Sequence, residues 1–435
     1  MIESAAAPIS ESLIRQYDVS GPRYTSYPTA DRFVEAFTSD DYIQALEQRR
    51  SGAAAMVLPL SLYIHIPFCE SLHTRHMGLG QVVSQLHLGG GSPTFMSDAE
   101  LRELMGMLKR NFTFSPGGEY SIEIDPRTID ASRLDTLAEL GFNRLSFGVQ
   151  DFDPAVQKAV HRVQPAEQVF ALVAAARQRG FESINVDLIY GLPEQTPESV
   201  NRTLAQINQL KPDRIALYAY AHLPERFKPQ RRISSVEIPT AASKISMLAN
   251  SMAALMAAGY VYIGMDHFAL PNDSLAVAKR QGRLHRNFQG YSTQPDCDMI
   301  GLGVSSIGRV GATYSQNAKT LEDYYDYLDQ GQFPVVRGLA LTRDDLVRRA
   351  VIMALMCQGR LSFESIELAY LVNFKSYFAK EMETMQTQVE QGLVEIEDGG
   401  IKVTDKGWFF VRAVAMVFDR YLQTDRTRAR FSKIL

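Results

Sequence analysis

The sequence predicts an α/β fold: a partial (β/α) barrel of about six units, with an N-terminal arm and a small, mainly helical C-terminal domain. Three observations carry this expectation. β-rich runs alternate with amphipathic helical stretches, the pattern of βα units around a parallel sheet. One junction, helix–Gly–aromatic–strand, recurs as LGFNRLSFGVQ at Gly141, RGFESINVDLIYG at Gly180 and AGYVYIGMDHF at Gly259. Both ends of the chain lack this alternation.

In chain order, residues 1–55 are rich in Ser, Ala and polar residues, and SGPRYTSYPT (20–29) reads as an extended, turn-rich arm. Strands are expected at Leu60–Ile66, Val82–Leu88, Tyr120–Ile124, Arg144–Gly148, Ile184–Ile189, Ile215–Tyr220 and Val261–Gly264. This is six or seven units, short of the eight of a closed barrel; an open doubly wound sheet is the alternative on pattern alone. The helices between them show one apolar face: Leu101, Leu104, Met105 and Leu108 in one, Val169, Leu172, Val173 and Ala176 in another. Ser97-Asp98-Ala99-Glu100 is a capping box, and Thr196-Pro197 places Pro at a first helical position. From Leu341 the chain turns helical, with Thr342-Arg343-Asp344-Asp345 opening a helix through Cys357. LVEIEDGGIKVTDKG (393–407) is a hairpin signal around Asp398-Gly399-Gly400, so the end is either a winged-helix-like unit or a helical lid on the barrel. The expected organisation is an arm (1–55), the barrel with its extension (56–340) and a C-terminal unit (341–435).

Composition narrows the function classes. Across 435 residues, 45 Lys+Arg face 49 Asp+Glu, a net charge of −4, which gives no support for binding nucleic acid or an acidic membrane through bulk charge. No apolar run approaches the eighteen residues that a membrane span needs. The N-terminus lacks the apolar region of a secretion signal. Three cysteines, Cys69, Cys297 and Cys357, exclude a disulfide framework and fit a reducing cytoplasm. The expectation is a cytoplasmic, soluble protein, monomeric, with neither nucleic acid nor membrane as partner.

Parallel βα folds place function at the carboxyl ends of their strands. Those ends hold Cys69, then Gly89-Gly90-Gly91-Ser92, Glu123 and Asp125, Gln150 and Asp151, Asp187, Ala221 and His222, and Asp266 and His267. Three successive glycines at a strand end let backbone amides approach a ligand closely. Without a P-loop lysine they are not a Walker-type phosphate cradle.

YIHIPFC (63–69), HLGGGSPTF (87–95), SIEIDP (121–126), RLSFGVQDF (144–152), NVDLIYGLP (185–193), YAYAHLP (218–224), GMDHFA (264–269) and LHRNFQGY (284–291) together resemble the oxygen-independent coproporphyrinogen III oxidases. The resemblance runs over nearly the whole chain, and the SGPRYTSYPT arm shares it. It implies a radical S-adenosylmethionine enzyme of haem synthesis, with a [4Fe–4S] cluster and two S-adenosylmethionine molecules. The implied reaction is oxidative decarboxylation of two propionates of coproporphyrinogen III to vinyls, with an electron donor for the cluster and a terminal electron acceptor. By family position, Tyr63, Gly90, Gly91, Ser92, Glu123, Gln150, Arg162, Asp187, Ala221 and Ile307 would contact S-adenosylmethionine, and Cys69 would ligate the cluster. His222, His267 and His285 are candidates for the porphyrinogen pocket. Four propionates call for cations, for which Arg23 and Arg286 are the candidates; Tyr24 and Tyr27 would pack on the macrocycle or the barrel wall.

One departure stands out. The family's three cysteines are spaced C-x₃-C-x₂-C, and after Cys69 that spacing falls on His73 and His76. Three accounts fit: the histidines replace the thiolates, as imidazoles do in Rieske centres; the chain is a cluster-deficient paralogue that binds haem or porphyrin without catalysis; or residues of the family's loop are missing here. Spacing favours the last. The stretch between the first two strands has two glycines and no apolar helical face, whereas a crossover with its helix needs at least about 10–12 residues.

Overall fold

The structure, a computed structural model, describes residues 13, 16–17, 19, 21–52, 58–66, 71–225, 228–294 and 297–424. Six strands, β1 (Leu60–Ile66), β2 (Gln81–Gly90), β3 (Phe112–Ile124), β4 (Arg144–Gln150), β5 (Ser183–Tyr190) and β6 (Arg214–Ala219), lie side by side in sequence order and run parallel. Helices Asp98–Asn111, Ala131–Leu140, Ala166–Gln178 and Pro197–Leu210 connect β2 through β6. This is the parallel core of a partial barrel.

Alternation along the strands explains the layering. Leu86, Leu88, Ile122, Ile124, Leu145, Phe147, Ile184, Val186, Ile215 and Leu217 are buried, in one core with Leu101, Leu104, Leu134, Leu137, Val169, Leu172, Leu204 and Ile207 of the helices. The opposite positions are polar or aromatic: Tyr63 and His65, His87, Ser121 and Glu123, Ser146, Asn185 and Asp187. A period of two therefore assigns one face of the sheet to the helices and the other to the interior. The expected helix signals also hold: the Ser97 backbone N–H donates to Glu100 Oε2 at 2.7 Å, and Thr196 caps a helix opened by Pro197.

The edges differ from expectation. β7 (Val261–Gly264) is not a barrel strand: left-handed Met265 (φ 54°) turns the chain back into β8 (His267–Ala269), which pairs antiparallel with both β7 and β6. A short ribbon, β9 (His285–Asn287) with β10 (Gly290–Ser292), stands apart from the main sheet. On the far side, β11 (Asp298–Gly303) runs parallel to β1, and β12 (Ile307–Val310), β13 (Thr313–Asn317) and β14 (Val335–Ala340) extend the sheet antiparallel.

The crossover from β1 to β2 does contain a helix, Ser71–Met77, but it is seven residues long. It packs on a second helix absent from the expected arm, Ser39–Ser51. That helix buries Tyr42, Ala45, Leu46 and Arg49, and Arg49 reaches Asp298 on β11 at 2.6 Å. Beyond residue 340 lie helix Arg343–Gln358, further helices and a small sheet of β15 (Arg360–Ser362), β16 (Val394–Glu397) and β17 (Gly400–Val403). The last two are the expected hairpin.

Candidate active site at the strand ends

On the interior face, His87 links the expected residues Tyr63 and Glu123, and Asp187 stands near enough to feel the charge of Glu123. Tyr63 on β1 stacks on His87 of β2, with ring centroids 5.9 Å apart and planes 14° off parallel, and its hydroxyl meets His65 Nδ1 at 3.1 Å. Burial, then the charge of Glu123, pushes the Tyr63 phenol up to about 12. His87 bridges Ser121 Oγ (2.7 Å) and Glu123 Oε1 (3.3 Å). The Glu123 side chain stays 44% exposed, open to a ligand. On β5, Asp187 accepts from Ser146 Oγ at 3.2 Å and Asn185 Nδ2 at 2.9 Å. Burial foremost, and then the like charge of Glu123, lifts its carboxyl to about 6.

The glycine turn closes β2. Gly90 is left-handed (φ 92°), and a Cβ there would lie 2.5 Å from the His65 ring. A Cβ at Gly91 would meet nothing within 4 Å, so this backbone faces open space, and Ser92 is left-handed at φ 66°. Gln150, at the end of β4, is left-handed too (φ 67°). Arg162 donates through Nη2 to the Gly148 carbonyl at 2.8 Å and pairs with Asp125 at 3.3 Å, while its Nε is buried without an acceptor among the described residues. Ala221 follows β6, where its carbonyl accepts from Gln230. Ile307 lies on β12, in the antiparallel extension rather than at a parallel strand end. An open glycine backbone, an exposed carboxylate and an orphaned guanidinium N–H suit a zwitterionic, sulfonium-bearing ligand.

The described histidines divide. His222 Nδ1 lies 3.4 Å from the Tyr220 hydroxyl, and His267 stands edge-on to Tyr218 and Tyr291. Arg23 pairs with Asp266, and Arg286 is buried on β9. Tyr24 and Tyr27 do not face the barrel interior. Both are fully buried in the core of the C-terminal helices, with the Tyr24 hydroxyl on Asp419 at 2.9 Å. Sequence reasoning gave no role to His65 and His87. Their spacing of two from the neighbouring polar interior positions is the signal that finds them.

The description "Radical SAM superfamily" matches residues 75–207, and "HemN C-terminal domain" matches 341–410. An oxygen-independent coproporphyrinogen III oxidase of Pseudomonas aeruginosa is 47% identical, covering 97% of this chain and 98% of the relative. The chain belongs to the oxygen-independent coproporphyrinogen III oxidases. The enzyme of that name from Escherichia coli is 44% identical over 98% of each chain. The solved structure of the Escherichia coli coproporphyrinogen III oxidase, described as a radical SAM enzyme, superposes with a TM-score of 0.87 over 94% of this chain and 98% of that one.

The family's cluster does not fit the residues present. Cys69 lies outside the described residues. Cys297 and Cys357 are buried elsewhere, before β11 and in helix Arg343–Gln358. His73 is 5% exposed, bonded to the Tyr42 hydroxyl at 3.1 Å and wedged edge-on against Phe333; burial holds its imidazole down at about 3. His76 pairs with Glu47 at 3.2 Å. Both histidines thus contact the Ser39–Ser51 helix, through Tyr42 and Glu47. No group of three His, Cys, Asp or Glu able to hold a metal occurs among the described residues. The alignment to the Pseudomonas oxidase runs over 455 positions, more than the 435 residues of this chain, so some of the relative's residues have no counterpart here.

Proposed function

We infer that this chain is built for the oxidative decarboxylation of two propionate side chains of coproporphyrinogen III to vinyls, giving protoporphyrinogen IX in haem synthesis. The full-length match to oxidases of that name carries the reading. A propionate β-carbon has no acidic hydrogen for a base to remove, so the family's chemistry calls for a hydrogen-atom abstractor, which bound S-adenosylmethionine would supply once a complete cluster stood beside it. The residues' part is to bind and orient. Gly90, Gly91 and Ser92 offer their backbone to the methionine portion. Tyr63, Glu123, Gln150, Arg162, Asp187, Ala221 and Ile307 surround the remainder, and Arg23 and Arg286 take substrate carboxylates. The arm (1–55) and the C-terminal unit (341–435) serve the barrel (56–340), which works as a cytoplasmic monomer supplied by an electron donor and drained by a terminal acceptor. No helix among the described residues is long and apolar enough to cross a membrane.

With one of three thiolates, the β1–β2 crossover cannot complete the cluster, so no electron-transfer step is assigned to residues of this chain. The test is a graft. Replacing the segment between Cys69 and Gly78 with the Pseudomonas oxidase's crossover should yield an iron-loaded protein that converts coproporphyrinogen III to protoporphyrinogen IX. A graft that loads iron and binds S-adenosylmethionine yet converts nothing would overturn the reading.

A further inference from the structure

Guanidinium groups converge where the arm, the β9–β10 ribbon and the C-terminal helices meet. Arg286 is 5% exposed and lies 4.6 Å over the Tyr291 ring. Its Nε donates to the Arg23 carbonyl at 3.3 Å, and its Nη1, buried, has no acceptor among the described residues. Arg23 lies 5.4 Å over Tyr218 and pairs with Asp266 on the β7–β8 turn. Arg412, 6% exposed, donates to the carbonyls of Gly21 and Pro22 and so fixes the arm just before Arg23. His267 stands between the two aromatic rings, edge-on to Tyr218 (6.0 Å) and to Tyr291 (5.5 Å), with its Nδ1 buried and lacking a partner among the described residues. Burial, then the charges of Arg286 and Arg23, holds its imidazole neutral.

An orphaned donor on a buried guanidinium is costly unless an acceptor arrives. The acceptor that matches a guanidinium fork best is a carboxylate, which can also accept from a neutral imidazole N–H. Asp266 already models the interaction on Arg23. It is tethered, its own carbonyl accepting from Leu217 N at 2.7 Å, so it stays beside the site rather than filling it.

We propose that Arg23, Arg286 and His267 form a carboxylate site for one substrate propionate, and that Asp266 is an internal counter-ion which the propionate displaces from Arg23. The proposal rests on the substrate class inferred above, and its test keeps the two apart. Coproporphyrin III, the air-stable oxidised analogue, and its tetramethyl ester are titrated by fluorescence into the full chain without iron. The parent should prefer the acid. Arg286→Gln should weaken acid binding by roughly tenfold or more and leave ester binding unchanged. Asp266→Asn, which removes the competitor, should tighten acid binding several-fold at an unaltered melting temperature. If Arg286→Gln fails to fold, Arg23→Gln carries the same expectation.

Acid binding unchanged in the arginine variant, or unchanged or weaker in Asp266→Asn, would overturn the site. A parent that binds neither porphyrin would instead count against the substrate reading.

Discussion

A side chain added at Gly90 and at Gly91 in turn should separate folding from ligand contact at the turn after β2. At Gly90 the backbone is left-handed (φ 92°), a conformation that costs an L-residue roughly 1–2 kcal/mol. The new Cβ would also lie 2.5 Å from His65, a ring held by Tyr63, and overpacking of that kind costs typically about 1–3 kcal/mol. Gly90→Ala should therefore destabilise by about 2–5 kcal/mol. At about 1 °C per kcal/mol for a chain of 435 residues, the melting temperature should fall by at least about 2 °C. Gly91 carries no left-handed strain, and its Cβ would meet nothing within 4 Å. Gly91→Val should melt with the parent, within about 0.5 kcal/mol, yet its branched side chain would stand where the ligand must meet the backbone. Calorimetric titration should show S-adenosylmethionine affinity reduced by roughly tenfold or more, the worth of about one hydrogen bond plus the clash. If Gly91→Val binds like the parent, or melts as low as Gly90→Ala, the turn is structural and the argument fails.

Three further outcomes follow from the geometry. Asp187 titrates at about 6, above its unfolded value of about 3.9, so its burial favours the protonated form and folding stability is lost as pH rises through about 6. Asp187→Asn should unfold at higher urea than the parent at pH 8, by about 2–3 kcal/mol, and with it near pH 4; a gap that does not depend on pH would contradict the buried carboxylate. Tyr24→Phe leaves Asp419, 2% exposed, short of one donor, so stability should fall by about 1–3 kcal/mol and the arm should become protease-sensitive. His76→Ala should leave the iron retained after anaerobic reconstitution unchanged, and a drop would restore the imidazole as a ligand.

The parallel core is legible because its signals are local. Leu101, Leu104, Met105 and Leu108 share a helical face, Ser97 and Glu100 are three residues apart, and polar residues alternate with apolar ones along β1 to β5. β11 carries no such signal: DMIGLG is buried at all six positions, so no period of two survives. The Ser39–Ser51 helix hides for another reason. Its buried stripe includes Arg49, whose partner Asp298 is remote in sequence. Likewise the Ser71–Met77 helix buries His73 against Tyr42 and Phe333, contacts that no local pattern reveals. At the site, single motifs point to the glycine turn and to Glu123 and Asp187. The grouping of Arg23, Arg286 and His267 depends on long-range packing of the arm. The two tyrosines of that arm were expected against the macrocycle or the barrel wall, and they instead lie in the C-terminal core.

The most direct test of the account is the iron and acid-labile sulfide held per chain after anaerobic reconstitution, with intact mass fixing the polypeptide's length. For a chain of 48.7 kDa with one thiolate in the β1–β2 crossover, the account predicts little retained iron and no 5′-deoxyadenosine on adding reductant and S-adenosylmethionine. Roughly four irons with matching sulfide, accompanied by 5′-deoxyadenosine, in a chain of that mass would contradict it.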